Sequence, residues 1–129
     1  QETRFFDSFD EAKQLSVAEK IPLVIYFSGS DWCKPCIKLK KEILMSPEFA
    51  EYSKKLAIYI ADFPFRTKQS KALKKSNEAL AEKYNKKGAF PNFIVLDASD
   101  KVIYQVGYKS QSPSEFISAM KSGMAQSEK

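Results

Sequence analysis

A short apolar run followed by a polar turn constrains the fold of this chain more than any other feature. Residues 23–27 read Leu-Val-Ile-Tyr-Phe, without the polar alternation of a half-exposed strand. Such a run is typical of a central strand that is covered on both faces. Residues 28–31, Ser-Gly-Ser-Asp, then end the strand. We therefore predict a sheet with helices packed on both of its faces.

Helical and extended patterns alternate along the rest of the chain. Asp7 can cap a first helix, and a second helix begins at or near Cys33 and is bent or restarted at residues 46–48. The predicted order is α-β-α-β-α-β-β-α, which makes an α/β protein with a mixed sheet. Apolar runs, turns and capping residues indicate the other elements: strands at 56–61, 92–96 and 102–106, a helix that ends at 85–88, and a last helix that starts at Ser112.

The size and composition of the chain limit its class. With 129 residues and 43% hydrophobic content, it is long enough for one globular domain, which we expect to span residues 1–129. The longest apolar stretch, residues 23–27, is far shorter than the roughly 20 residues that a membrane-spanning helix needs. We therefore expect no membrane insertion, and we expect a monomer.

The absence of histidine excludes several kinds of site. The chain cannot use Ser-His-Asp or Cys-His catalysis, and it has no histidine for a metal site or a pH switch. Acid-base chemistry must therefore come from Asp, Glu, Lys, Tyr or Cys.

Both cysteines of the chain lie in one motif, Trp-Cys-Lys-Pro-Cys at residues 32–36. The motif follows a buried strand and opens a helix, whose N-terminus stabilises a thiolate, so we expect a lowered pKa for the Cys33 thiol. Lys34 adds a positive charge, and Pro35 suits the first helical turn because its missing N–H would have no partner there. Cys36 lies one turn further on, where it can attack a mixed disulfide at Cys33.

Two structural explanations for the motif are weaker than redox chemistry. A static disulfide across so short a loop removes little entropy from the unfolded chain. A zinc half-site needs two further Cys or His ligands, which the chain lacks. We therefore predict a redox-active pair and no metal site.

These residues resemble a known family. Residues 31–36, Asp-Trp-Cys-Lys-Pro-Cys, are similar to the thioredoxin active site, and residues 89–91, Ala-Phe-Pro, stand where that fold carries its cis-proline. The lead-in to Cys33 resembles exported bacterial thioredoxin-like proteins related to the C-terminal domain of the transmembrane reductase DsbD. The resemblance implies a thioredoxin fold, with a mixed central sheet of four to five strands flanked by helices on both faces.

The resemblance also implies roles for individual residues. Cys33 would be the nucleophile and Cys36 the resolving thiol, while Trp32 would offer an apolar wall to the substrate. Pro91 would face the dithiol, and the backbone of Phe90 would pair with a bound peptide in the manner of a strand.

One position departs from the family. Thioredoxins commonly bury a carboxylate in the strand before the active site, and Tyr26 takes that place here. Because a tyrosine is a poor base at neutral pH, we hypothesise that the resolving step is slower than in a standard thioredoxin. Asp31, Asp62 or water are the alternatives for handling the proton of the resolving thiol.

Two other segments carry surface features. Residues 63–68, Phe-Pro-Phe-Arg-Thr-Lys, form a long loop in which we expect both phenylalanines to tuck under the edge of the domain, with partner docking as the alternative. A lysine cluster lies on a helix that also carries acidic residues and lacks an aromatic stacking motif, so we expect a solvated face and no nucleic-acid partner. The lysines are Lys68, Lys71, Lys74, Lys75, Lys86 and Lys87.

We interpret the chain as a thiol-disulfide oxidoreductase that reduces protein disulfides with electrons from an upstream dithiol partner. No cofactor is expected beyond the Cys33–Cys36 disulfide. Because Lys34 can make the pair more oxidising, the direction stays open between a reductase and an oxidase or isomerase. The alternative is a thioredoxin-fold binding, adaptor or chaperone module with little turnover. Its contact surface would be Phe63, Phe65 and Phe90.

The location of the protein is a further expectation. The chain opens at Gln1 without an initiator Met or an apolar signal segment, which fits a mature exported protein or a chain that was cut at this point. The resemblance implies a periplasmic or otherwise exported protein. The cytoplasm stays the alternative, because cytosolic thioredoxins share the motif.

Overall fold

A four-stranded mixed sheet forms the centre of the fold in the computed structural model, which describes residues 3–127. The first strand pairs in parallel with the second and antiparallel with the third, which pairs antiparallel with the fourth. A short parallel bridge between Phe6 and Tyr59 extends the edge of the second strand. The predicted sheet of four to five strands is confirmed. The strands are β1 (Leu23–Ser28), β2 (Ala57–Asp62), β3 (Asn92–Leu96) and β4 (Val102–Val106), in the order β2-β1-β3-β4.

Within residues 3–127, five α-helices surround this sheet. The second helix continues into a π-helical turn at Lys40–Leu44, which the sequence pattern did not predict, and the chain restarts as a helix at Pro47. None of the helices within residues 3–127 is long and apolar enough to cross a membrane. The helices are α1 (Phe9–Glu19), α2 (Lys34–Leu39), α3 (Pro47–Ser53), α4 (Lys71–Tyr84) and α5 (Pro113–Ser127).

Strand β1 is buried along its whole length, as its uninterrupted apolar run predicts. Side chains of a strand alternate between the two faces of a sheet. Val24 and Tyr26 therefore join the core formed with α2, α3 and α5, whereas Leu23, Ile25 and Phe27 join the core formed with α1 and α4. Both faces of the sheet are therefore covered, and β1 lies in its middle, between β2 and β3.

The helix termini differ from the prediction in two details. Ser8, not Asp7, caps α1, because its hydroxyl oxygen accepts the Glu11 amide at 3.1 Å. Helix α4 ends at Tyr84 with Asn85 as its C-cap, and Gly88 instead occupies a left-handed turn three residues later, at φ 65°. The capping box of α5 between Ser112 and Glu115 is confirmed, with bonds of 2.8 and 3.2 Å. Gln1 lies outside the described residues.

Candidate active site

A disulfide joins Cys33 and Cys36 at the start of α2, with their α-carbons 5.2 Å apart. Cys33 is the N-cap of this helix, and its sulfur accepts the backbone amide of Cys36 at 3.3 Å. Cys33 is 5% exposed and Cys36 is 2% exposed, so the first cysteine is the more accessible. Among residues 3–127, no cluster of three or more potential metal-ligating side chains surrounds them.

The turn between β1 and α2 presents this pair at the C-terminal end of the central strand. The carbonyl of Gly29 accepts the amides of Trp32 at 3.2 Å and of Cys33 at 2.9 Å, which closes the turn. Pro35 occupies the first helical turn, as predicted, and both Lys34 and Pro35 are exposed next to the disulfide. Cys33, although only 5% exposed, is thus followed directly by an exposed cationic residue.

Trp32 is held in place by polar and aromatic contacts. Its indole Nε1 donates a hydrogen bond to the carbonyl of Phe63 at 2.6 Å. The ring stacks on Phe65, with centroids 4.8 Å apart, and meets the edge of Phe90 at 5.5 Å. The aromatic wall that the resemblance implies for Trp32 is therefore shared with Phe65.

The two phenylalanines of the loop at residues 63–68 differ in their environment. Phe63 packs against Phe27 and Phe90 at the edge of the core, as predicted. The same prediction is wrong for Phe65, which is 76% exposed. The reason is the stack on Trp32, which holds Phe65 on the outer surface instead of under the domain.

The Phe90–Pro91 peptide bond is cis, and Pro91 is buried. An amide network holds the approach to this bond. Asn85 donates to the carbonyl of Ala89 at 2.9 Å, and its side-chain oxygen accepts the Ala89 amide at 3.1 Å and the side chain of Asn92 at 3.0 Å. The sequence gives one indication of a role for Asn85 and Asn92, which is that these two amides flank Pro91.

Tyr26 is buried, lines the same cleft as Cys36, and lies on the Phe93 ring, with centroids 4.4 Å apart and planes at 9°. Burial raises the pKa of Tyr26 to about 12, against a smaller lowering by the Ser28 hydroxyl and with a small further rise from the charge of Asp62. In the part of the chain that the structure describes, no well-formed hydrogen bond reaches the Tyr26 hydroxyl. Tyr26 therefore stays protonated at neutral pH and cannot act there as a base.

The two aspartates near the site have different neighbours. Asp31 accepts hydrogen bonds from the amides of Phe65, Arg66 and Thr67 at 2.9, 2.8 and 2.9 Å. These bonds, led by that of Phe65, hold the pKa of the Asp31 carboxyl below its usual value. The Asp31 carboxylate is thus hydrogen-bonded to the backbone of the loop at residues 63–68.

Asp62 instead lines an open cleft of about 730 Å³ together with Cys36, Tyr26 and Ser30. Its carboxylate accepts the Ser30 hydroxyl at 2.5 Å and the amides of Ser30 and Phe63, both at 3.0 Å. Among the candidate acceptors of the Cys36 proton, Asp62 and solvent therefore lie in the same cleft as Cys36.

The cysteine pair at a helix start and the cis Phe90–Pro91 bond, together with the mixed sheet, are the features that the resemblance implies. The sequence model of the thioredoxin-like domain family matches residues 9–123. The chain belongs to the thioredoxin-like family. It is 31% identical to the disulfide bond reductase DsbH of Chlamydia pneumoniae over 120 residues. The aligned region covers 92% of this chain and 72% of DsbH.

Solved thioredoxin-like structures agree with this assignment. A structure titled DsbH oxidoreductase superposes with a TM-score of 0.90 at 29% identity, and covers 97% of this chain and 86% of its own. The reduced C-terminal domain of DsbD from Neisseria meningitidis superposes with a TM-score of 0.64 at 20% identity, over 88% of this chain and 92% of its own. The latter likeness concerns the fold, and it agrees with the family relationship that the motif indicates.

Proposed function

We propose that this thioredoxin-like protein is a thiol-disulfide oxidoreductase that reduces protein disulfides through Cys33 and Cys36. The observation that carries the proposal is the Cys33–Cys36 pair at the start of α2, in a chain 31% identical to a disulfide bond reductase. A helix N-terminus favours the thiolate that such chemistry requires.

The reaction proceeds by two exchanges of a thiolate with a disulfide. In the reduced protein the Cys33 thiolate attacks one sulfur of the substrate disulfide, forms a mixed disulfide and releases the other substrate sulfur as a thiolate. Cys36 then loses its proton and attacks the Cys33 sulfur, which releases the second substrate thiolate. The substrate gains two electrons, and the protein is left with the Cys33–Cys36 disulfide.

The proton of Cys36 leaves through the cleft that Cys36 lines. Tyr26 is excluded as its acceptor at neutral pH by a pKa of about 12. Asp62 and solvent remain, since both have access to this cleft. Trp32, Phe90 and Pro91 form the surface beside the pair against which the substrate lies, and Lys34 and Pro35 flank its exposed side.

The surroundings of this reaction belong to the same proposal. The substrates are protein disulfides, and an upstream dithiol partner returns the electrons. The protein works as a monomer of one domain, residues 1–129, in the periplasm or another exported compartment, where disulfides persist. No cofactor other than the cysteine pair takes part, and neither nucleic acid nor membrane insertion is involved.

An equilibrium redox titration tests the direction of the reaction. The chain contains one tryptophan, and Trp32 adjoins Cys33, so its fluorescence reports the state of the pair. A potential near that of thioredoxin, about −270 mV, is expected for a reductase. A potential nearer about −120 mV would make the protein an oxidant and overturn the proposed direction.

A binding or adaptor module is the second candidate, and the 76% exposure of Phe65 beside the disulfide favours it. Cys36→Ser separates the two functions, because it blocks resolution of the mixed disulfide. An enzyme then accumulates covalent partners through Cys33. Partner capture that is non-covalent and survives Cys33→Ser would support the module instead.

A further inference from the structure

We propose that Phe65, positioned by the carboxylate of Asp31, binds an apolar side chain of the substrate next to the cysteine that is attacked. This inference rests on the proposed function and adds a recognition site outside the Trp-Cys-Lys-Pro-Cys motif. The occupant is an extended polypeptide segment with an aromatic or large aliphatic residue close to its disulfide-bonded cysteine.

Phe65 is exposed and is held in a fixed place by Trp32. Phe65 has the largest exposed fraction, 76%, among the exposed large hydrophobic side chains of the described residues. One face of its ring lies on Trp32 at 4.8 Å and 13°, and Trp32 directly precedes Cys33. An apolar side chain that docks on Phe65 would therefore lie one stacked ring away from Trp32, the residue before the reacting cysteine.

Hydrogen bonds hold the loop that carries Phe65 in place. Asp31 accepts three successive amides, from Phe65 to Thr67, at 2.8–2.9 Å. The Gln69 side chain donates to the carbonyl of Asp62 at 3.1 Å, and the Trp32 indole donates to that of Phe63. Because these bonds already fix the loop, binding a partner costs little further conformational entropy.

The charged residues around Phe65 indicate which charge the substrate segment should carry. Arg66 and Lys68 are exposed in the same loop, and Lys34 is exposed next to Cys33. A substrate segment with an acidic residue near its cysteine is attracted to such a surface. A second copy of this chain, with a net charge of +5, is a poorer partner because its own surface repels it.

Matched peptides test the apolar part of the proposal. Two disulfide-linked peptides differ only in carrying Phe or Ser two residues from one cysteine, and kcat/KM is measured for each. Every value is divided by the same variant's rate with hydroxyethyl disulfide, so that a general loss of dithiol chemistry cancels. We expect the wild type to prefer the Phe peptide by about fivefold to tenfold.

Three variants locate that preference. Phe65→Ser is expected to bring the ratio close to one, and Asp31→Asn is expected to lower it by loosening the loop. Val17→Ser is the control, since Val17 is 56% exposed on α1 at the opposite end of the sheet, and it should leave the ratio unchanged. An unchanged ratio in Phe65→Ser overturns the recognition role, and an unchanged ratio in Asp31→Asn overturns the positioning role.

A second peptide pair tests the charge, with Glu or Lys beside the cysteine. At low salt the wild type is expected to prefer the Glu peptide, and Arg66→Gln to reduce that preference. Equal rates with both peptides would overturn the acidic part of the proposed occupant. If the wild type reduces neither the peptides nor hydroxyethyl disulfide, the proposed function itself fails, whereas equal reduction of the Phe and Ser peptides refutes only this inference.

Discussion

The α-carbon of Gly29 lies against the indole ring of Trp32, so that a Cβ placed on Gly29 would be 2.4 Å from Cε2 of the ring. The indole has little freedom to retreat, because its Nε1 is bonded to the carbonyl of Phe63 and its face is covered by Phe65. The missing side chain of Gly29 thus determines where the aromatic surface lies relative to Cys33.

Gly29→Ala is therefore expected to displace the indole. Forcing a methyl group into a packed space of this kind typically costs about 1–3 kcal/mol of unfolding free energy. Denaturant unfolding measures that cost, and the fluorescence of the single tryptophan reports the displacement directly. The difference in fluorescence between the oxidised and reduced protein should shrink as the ring moves away from Cys33.

Gly88→Ala is the matched control for that substitution. Gly88 has a left-handed φ of 65° and open space around it, so alanine there strains the backbone without touching the indole. We expect a loss of about 1 kcal/mol with the Trp32 fluorescence unchanged. If the difference in Trp32 fluorescence between the oxidised and reduced protein is the same in Gly29→Ala and Gly88→Ala, Gly29 does not determine the position of the indole.

Tyr26→Phe is expected to be nearly neutral for stability. The substitution keeps the ring on Phe93 and removes a buried hydroxyl that has no well-formed hydrogen bond. Removing such a group costs little or stabilises the fold, by about 0–1 kcal/mol. Because the pKa of Tyr26 is about 12, the pH profile of mixed-disulfide resolution between pH 6 and 9 should also stay the same. A shifted profile would give the hydroxyl a chemical role that the structure does not support.

Tyr26→Asp tests whether the missing buried carboxylate limits the resolving step. The new carboxylate would lie in the cleft with Cys36, where it can accept the proton of the thiol. We expect faster resolution of a preformed mixed disulfide, measured by rapid quenching, with Tyr26→Phe as the reference. The lost ring should cost about 3–5 kcal/mol of stability. Resolution that is no faster than in Tyr26→Phe would remove the basis for calling the native step slow.

The elements that the sequence predicts well depend on neighbouring residues. The unbroken apolar run predicts the buried strand β1, the cysteine motif marks the start of α2, and the spacing of Ser112 and Glu115 predicts the capping box of α5. In each case the interacting groups lie within a few residues, so the pattern carries the geometry.

The features that the sequence does not predict depend on distant partners. The bonds from Asp31 to residues 65–67 bring together segments whose order along the chain gives no sign of contact. For the same reason the sequence predicts Phe65 under the edge of the domain and leaves open the choice between Asp31 and Asp62 near Cys36. Only the folded chain shows that the first is bonded to a loop and the second lines the cleft.

Asn85→Ala is expected to loosen the segment that leads to Pro91. The Asn85 side chain makes three hydrogen bonds, two to the backbone of Ala89 and one to Asn92, which is itself buried. Leaving buried groups unpaired costs about 1–3 kcal/mol. The kcat/KM for a peptide disulfide should fall together with the stability, because Phe90 and Pro91 adjoin this network.

Asn77→Ala is the control for that prediction. Asn77 is also buried, and its side chain accepts the Tyr59 hydroxyl at 2.6 Å and donates to the backbone carbonyl of Asp62 at 3.2 Å, so that neither bond goes to residues 89–91. It should lose a similar amount of stability in urea unfolding while keeping more of the peptide activity. Equal loss of activity in both variants would mean that the effect of Asn85 is one of general stability.

Acid should release the loop that carries Phe65. The amides of Phe65, Thr67 and Arg66 lower the pKa of Asp31 in the folded protein below its ordinary value of 3.8. A carboxyl with a lowered folded-state pKa contributes stability that is fully present above the ordinary value and is lost as the pH falls through the lowered one. The contribution of Asp31 should therefore be constant at neutral pH and disappear below about pH 4.

The difference in unfolding free energy between the wild type and Asp31→Asn, followed from pH 7 to pH 2, measures this contribution. Subtraction is needed because hydrogen bonds also lower the pKa of Asp97 and of Glu115, so the wild type loses stability in acid for several reasons. Glu115→Gln serves as the reference, since it removes a carboxyl of the same kind at the start of α5, outside the loop. Because release of the loop should disturb the stack of Phe65 on Trp32, the fluorescence of Trp32 should change over the same acidic range in the wild type and in Glu115→Gln. A difference between wild type and Asp31→Asn that grows toward low pH would contradict the hydrogen bonds from residues 65–67 as the cause.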